Sequence, residues 1–320
     1  MKKALYFSIL KYHEDNLRLL KRHFQVVERP TPEDPDGTMP ADVSLLFAPL
    51  GYYFGEEVMR KTPALEAIAT NTTGTPHIDT AAAEARGIKV ISLAGEEQFL
   101  RTITPTAELT IGLMIAVTRN LVPAMDYVRK GSWGRWGFGG PAMLSRMSLG
   151  IVGMGRLGKI VAAYARAMGM QVAYFNPHIK HRLEWPYRRA DSLKELVGSV
   201  DVTSVHCNVT RENRHMFNRE VFSAFRKGSF FVNTARGELV DSEALIEALD
   251  GGILRGAAVD VLDGEFSPAF DKEVAAHPLV RYAKEHNSLL ITPHIGGSTR
   301  DAWFETQRFT IQRAIDALGA

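Results

Sequence analysis

Three stretches in the second half of the chain carry residue types that could protonate an oxygen and hold an acid. They are Thr234-Ala235-Arg236-Gly237, Asp260 with Glu265 just beyond it, and Thr292-Pro293-His294-Ile295-Gly296-Gly297. Each follows or lies in a short apolar run that reads as a buried strand, so each falls near a strand's carboxyl end, where α/β proteins place ligands. An imidazole such as His294 is the usual proton donor near neutral pH. A carboxylate such as Glu265 would orient that imidazole and favour its charged form. An arginine such as Arg236 would bind a substrate carboxylate through two parallel N–H donors. Singly, each has a duller reading: the chain has ten histidines, an arginine after a strand often only closes a salt bridge, and a glutamate beside a glycine is usually just solvated. Jointly they form the set that reduction of a carbonyl acid requires.

The element that would position them is a glycine turn. The run Leu149-Gly150-Ile151-Val152 reads as a strand, breaks into Gly153-Met154-Gly155-Arg156-Leu157-Gly158, and is followed at once by a helical pattern through Ile160, Val161, Tyr164, Ala165 and Met168. A dinucleotide pyrophosphate needs that order: a tight turn, a close backbone approach, then a helix N-terminus with free N–H groups. The motif alone is weak evidence. Its context strengthens it, because strands are expected at Gln171–Phe175, Val200–Cys207, Ser229–Asn233, Gly256–Leu262 and Leu289–Thr292, with a helix over Ser242–Leu249 capped by Asp241-Ser242. Six or so strands with intervening helices make a doubly wound dinucleotide domain. The strand Gln171–Phe175 ends at Asn176, near the interval of about 20 residues at which NAD-binding units carry an acidic residue for the ribose. Asn176 is neutral and is followed by His178, Lys180, His181 and Arg182, so NAD or NADP is the expected cofactor; a solvated, coincidentally basic loop is the plainer reading.

The first portion alternates in the same way. Strands are expected at residues 4–10, 24–27, 43–48, 67–70 and 89–92, and helices near Asp15–His23, at 56–61 and at Asp79–Arg86, which argues for a second parallel sheet covered on both faces. At two carboxyl ends lie Leu50-Gly51-Tyr52-Tyr53 and Thr72-Thr73-Gly74, where Thr73 and Gly74 could present N–H groups to a carboxylate or simply form a turn. Residues 105–119 read as a long apolar helix joining two lobes. Beyond it, Trp133 and Trp136 stand among glycines, either in a loop tucked on the core or on an arm that fills a partner subunit's surface.

The 320 residues suffice for two ordinary domains. The 38 basic and 36 acidic residues leave a net charge of +2, which gives no argument for nucleic acid or membrane partners. Cys207 is the single cysteine, so no intrachain disulfide or thiolate metal cluster forms; no metal and a reducing cytoplasmic setting are expected, with Cys207 as a buried hydrophobe. The apolar run after Lys2-Lys3 is short and lacks a cleavage site, and no run of eighteen apolar residues stands out.

Taken in order, Gly153–Gly158, Asn233–Gly237, Asp260-Val261 with Glu265, and Thr292–Thr299 resemble the D-isomer-specific 2-hydroxyacid dehydrogenases over essentially the whole chain. Thr73-Gly74 with Ile78-Asp79, Arg86–Val90 and Pro105–Leu109 fit the same pattern. The resemblance implies a flavodoxin-like substrate domain (1–102 and 293–320), an inserted Rossmann domain (103–292) and an active site in the cleft. It implies His294 as acid/base, Glu265 as its partner and Arg236 on the substrate carboxylate and carbonyl. Cofactor contacts would come from Gly153, Gly155, Arg156, Leu157, Gly158, Asn176, His206, Thr234, Ala235, Asp260, Gly296, Gly297 and Thr106, and substrate contacts from Thr73, Gly74 and Leu50. It further implies a small 2-keto or 2-hydroxy acid substrate, such as glyoxylate or hydroxypyruvate, and a homodimer joined through the nucleotide domain. The chain departs from the family at Asn176 for Asp, Phe266 for Pro and Asn208 for Pro. It also lacks an arginine in Pro49–Tyr53, which weakens a phosphorylated substrate. Rival readings are a phosphite dehydrogenase, a formate dehydrogenase (disfavoured by Glu265 where that enzyme pairs its histidine with Gln), and a nucleotide-sensing corepressor-like protein (disfavoured by the balanced charge).

Overall fold

A computed structural model describes residues 1–33, 39–138, 140–177, 187–267 and 270–320. Contacts divide the chain into two units: Met1–Ile103, Phe266–Phe270 and Ser298–Ala320 form one, and Thr104–Glu265 with Asp271–Gly297 the other. The second crossing therefore falls after Gly297 rather than at residue 293, because Asp260 ties Ile295 and Gly296 to the nucleotide unit.

The first unit is a parallel sheet of β1 (Lys3–Phe7), β2 (Gln25–Arg29), β3 (Leu45–Phe47), β4 (Ala67–Ala69) and β5 (Lys89–Ile91). Its order, β2-β1-β3-β4-β5, is the flavodoxin-like one. Near-continuous apolar strands are required here because both faces are covered, and the two-residue period sorts them. Ala4, Tyr6, Leu45, Phe47, Ala67 and Ala69 face the helices Glu14–His23 and Arg300–Leu318, while Leu5, Phe7, Leu46 and Ile68 face Met59 and Ala83 of the helices Glu56–Lys61 and Thr80–Ala85.

The second unit carries β6 (Ser148–Val152), β7 (Gln171–Phe175), β8 (Arg188–Arg189), β9 (Val202–Val205), β10 (Ser229–Asn233), β11 (Leu254–Val259) and β12 (Leu289–Ile291). The order β12-β11-β10-β9-β6-β7-β8 is the Rossmann order extended by one strand. Phe230 and Val232 of β10 pack under the helices Pro105–Thr118 and Arg156–Ala167, whereas Phe231 meets Phe217 at 5.0 Å on the other face.

The helix Pro105–Thr118 is thus part of this unit's core, not a free connector. Glu97–Thr118 is the one stretch among the described residues long and apolar enough to cross a membrane, at a mean hydropathy of 1.2. Helical structure breaks between Leu100 and Pro105, and Ala107, Leu113, Met114 and Val117 are buried in the core. Several strands end short of their apolar runs, β11 because Asp260, Val261 and Leu262 stay buried past the hydrogen-bonded ladder. The first of them, β1, stops at Phe7, and Ser8–Leu10 forms a 3₁₀ turn instead of continuing it.

Candidate active site

At the end of β6, Gly153 turns the chain at φ +96°. A Cβ there would lie 2.7 Å from the Cys207 nitrogen, so only glycine lets the turn rest on the segment leaving β9. A Cβ on Gly158 would lie 2.2 Å from the Gly153 carbonyl oxygen, so the third glycine lets the helix Arg156–Ala167 begin against the turn. Gly155 instead faces open space. It precedes a helix with no side-chain cap and no acidic residue in its first turn, which leaves the N–H groups and positive dipole end for an anion. The residues fit a dinucleotide pyrophosphate: packing requires the outer glycines and the middle one leaves room.

Asn176 joins this turn through its Oδ1, which accepts the Met154 N–H at 3.1 Å. The basic residues expected beside it, His178, Lys180, His181 and Arg182, lie outside the described residues. His206 packs its Nε2 at 2.8 Å from the Ser204 hydroxyl, and burial pushes the ring down to about 3, so it is neutral. Cys207 is partly exposed just past β9 rather than a core hydrophobe within a strand; burial still pushes its thiol up to about 11.

The Arg236 stretch is shaped by Asn233, which the reading of the sequence assigned no part of its own. Its Oδ1 accepts the Ala235 N–H at 3.0 Å and its Nδ2 donates to the Arg236 carbonyl at 2.9 Å, so one buried amide builds the whole turn. Thr234 is fixed by a 2.8 Å hydroxyl–hydroxyl contact with Thr110, which itself donates to the Thr106 carbonyl. The Arg236 guanidinium is half-buried and donates to the Ala235 carbonyl at 2.6 Å.

Asp260 is 1% exposed at the end of β11. Its carboxylate accepts the Thr292 hydroxyl at 2.5 Å, the Ile295 N–H at 2.9 Å and the Gly296 N–H at 2.7 Å. The His294 N–H donates to the Asp260 carbonyl at 2.8 Å. The carboxylate expected to face the cofactor is therefore engaged in shaping the turn that carries His294. That turn holds His294 at φ +51°, a left-handed conformation that costs a non-glycine residue roughly 1–2 kcal/mol. The His294 Nδ1 lies 2.9 Å from the Glu265 Oε1, and the Glu265 side chain is only 10% exposed. Gly296 is buried beside Thr106 and Asp260, and Gly297 is exposed.

The second unit thus gathers Arg236, Glu265, His294, Thr234, Thr106 and Gly296 at the carboxyl ends of β10, β11 and β12. Arg236 can hold an anion, and the His294–Glu265 pair can carry a proton. Thr73, Gly74 and Leu50 belong to the first unit, beyond β4 and β3. There the Thr72 hydroxyl donates to the Gly74 carbonyl at 2.6 Å, and no acceptor among the described residues takes the N–H of Thr73 or Gly74. Leu50 is 41% exposed. Among the described residues no group of three or more His, Cys, Asp or Glu side chains could hold a metal ion.

A Rossmann sheet, a glycine turn shaped for pyrophosphate and an imidazole–carboxylate pair define a dinucleotide-dependent oxidoreductase. The chain belongs to the D-isomer specific 2-hydroxyacid dehydrogenase family, whose NAD binding domain matches residues 111–296. Among its relatives, the glyoxylate reductase of Thermofilum pendens is 33% identical over 252 residues, 77% of this chain and 70% of that protein. The D-3-phosphoglycerate dehydrogenase of Methanocaldococcus jannaschii is 31% identical over 91% of this chain, which spans only 53% of that protein's length. The solved structure of the TT0316 protein from Thermus thermophilus superimposes with a TM-score of 0.84 at 34% identity, covering 100% of this chain and 97% of the other.

Proposed function

We propose that the protein reduces a small, unphosphorylated 2-keto acid of the glyoxylate or hydroxypyruvate type to the D-2-hydroxy acid, with NADH or NADPH. The observation that carries this reading is the 2.9 Å His294–Glu265 pair, whose Glu265 stretch packs on the Arg236 loop at Gly237. The bound nicotinamide would supply the hydride to the carbonyl carbon. Arg236 turns from the Ala235 carbonyl to the substrate carboxylate, exchanging a neutral acceptor for a charged one that binds it more strongly. With Nδ1 on Glu265, His294 delivers its proton from Nε2 to the carbonyl oxygen, so that one keto acid, one hydride and one proton give one hydroxy acid. The relative named glyoxylate reductase supports this substrate class. The turn Pro49–Tyr53, which carries no arginine, argues against a phosphorylated one.

Asn176 carries no charge to repel a 2′-phosphate, so NADPH is accepted along with NADH. The partner is a second copy of the chain. Trp133 and Trp136 are 91% and 89% exposed, beside the helix Leu121–Arg129, which buries none of its residues; the tucked-loop reading does not describe them. A panel of 2-keto acids with both nicotinamide cofactors tests the assignment. Turnover of short unphosphorylated acids is expected. Activity confined to phosphorylated substrates, or cofactor binding without turnover, would overturn it, and a preference for NADH above about tenfold, roughly 1.4 kcal/mol, would overturn the cofactor reading.

A further inference from the structure

Glu265 hangs from the short stretch Leu262-Asp263-Gly264-Glu265, and this stretch is gripped from two sides. On one side is the Arg236 loop. A Cβ on Gly237 would lie 2.0 Å from the Leu262 carbonyl carbon and 2.2 Å from the Asp263 nitrogen, so the two loops touch backbone to backbone. On the other side, the Asp263 carboxylate receives Arg214 Nη2 at 3.0 and 3.2 Å on its two oxygens and lies 3.2 Å from His215 Nε2. His277 also faces Asp263.

The segment that supplies Arg214 and His215 is itself registered on the Arg236 loop. The His215 N–H donates to the Glu238 carbonyl at 2.8 Å, the Phe217 N–H to the Leu239 carbonyl at 3.0 Å, and Phe217 bridges to Val240. His215 takes φ +51° to reach both partners. Three loops therefore close on Leu262-Asp263, two residues before the carboxylate that meets His294.

We propose that Arg214 and Asp263 are positioning residues: their ion pair braces the Glu265 stretch against the Arg236 loop and so sets Glu265 on His294. The inference rests on the reading of His294–Glu265 as the proton-delivering pair. Arg214 is 53% exposed and Asp263 27%, so the pair adds little to global stability. Gly264, at φ +81°, lets the stretch move once the brace is gone. A catalytic group misplaced by 1 Å can cost about 100-fold in rate. The brace should therefore weigh far more in turnover than in folding.

The test compares wild type with R214Q, D263N, the double variant and R214K. Measured are kcat and KM for the keto acid, the Kd for NADH by fluorescence, the Tm, and hydrogen exchange at the Glu265 amide, which donates to the Leu262 carbonyl at 3.3 Å. Each single variant should lower kcat about 10- to 100-fold and speed that exchange, with NADH Kd and Tm unchanged. The double variant should be no worse than either single one. R214K should recover part of the rate, because one nitrogen serves both oxygens. Unchanged kcat, multiplied losses in the double variant, or Tm and NADH affinity falling in parallel with kcat would overturn the brace. If wild type turns over no keto acid, the proposed function fails. Exchange at Glu265 then still decides the brace, and unchanged protection in R214Q and D263N would overturn it.

Discussion

His294 is held in a backbone conformation that most side chains avoid, at φ +51°, with its Nδ1 on a nearly buried carboxylate. Strain of this kind persists where the surroundings over-determine it, here through two backbone hydrogen bonds and the Glu265 pair. On the proposed mechanism, removing the imidazole leaves the developing alkoxide without a proton, and removing the guanidinium leaves the substrate carboxylate without its fixed cation. His294→Ala and Arg236→Ala should each lower kcat/KM by about 10²–10⁴, or more, measured by steady-state kinetics with the best acid from the panel. Glu265→Gln should cost less, since it keeps an oxygen within reach of Nδ1 and removes only the charge; wild-type rates in the alanine variants would sink the assignment.

At the scale of elements, the active loops are organised by buried polar side chains at strand ends. Asn233 folds the Arg236 turn that follows it with two hydrogen bonds, and Asp260, at the end of β11, folds the His294 turn after β12 with three. Asp260→Ala would strand the Ile295 and Gly296 N–H groups and the Thr292 hydroxyl. At about 1–3 kcal/mol for each unsatisfied buried group, a loss of about 3 kcal/mol or more is expected in urea unfolding, together with loss of turnover. A variant that unfolds like wild type and still reduces substrate would show that the turn stands without its carboxylate.

For the whole molecule, buried imidazoles set a limit on the acid side. His77 is 3% exposed in the first unit, with its Nε2 3.2 Å from the Thr70 hydroxyl, and burial pushes it down to about 4. Between that value and the unfolded value near 6.5, the unfolded chain binds a proton that the folded chain does not. Stability is therefore full above about pH 6.5 and falls as pH drops toward 4, by about 1.4 kcal/mol per unit for this residue; the neutral His206 adds in the same direction. His77→Asn should flatten the loss in denaturation midpoints between pH 6.5 and 4, and an unaltered slope would exclude His77 as the cause. At the same scale, if the proposed second copy docks on these indoles, Trp133→Ser with Trp136→Ser should convert that dimer to a monomer in sedimentation, because each indole can bury about 150–250 Å²; a monomeric wild type, or a dimer kept in the double variant, would overturn this interface.

The glycine turn, the alternating elements and the strand-end placement of Arg236, Glu265 and His294 are legible in the sequence because each depends on local chemistry: a left-handed turn, a helix start, a titratable group just past an apolar run. The helix Leu121–Arg129 is not legible in the sequence, since its apolar residues stay exposed and mark no core-facing stripe. The apolar runs to Cys207, Leu262 and Thr292 overshoot the ends of β9, β11 and β12; at β11 this is because burial outlasts the hydrogen-bonded ladder through Leu262. What only the tertiary structure decided is which distant groups meet. Asp260 on the His294 turn, Gly237 against Leu262, and Arg214 on Asp263 are juxtapositions made by parallel crossovers, which bring together loops far apart in the chain. The sequence by itself determined the chemistry these loops could do; the packing of one loop on another determined which side chains hold them in place.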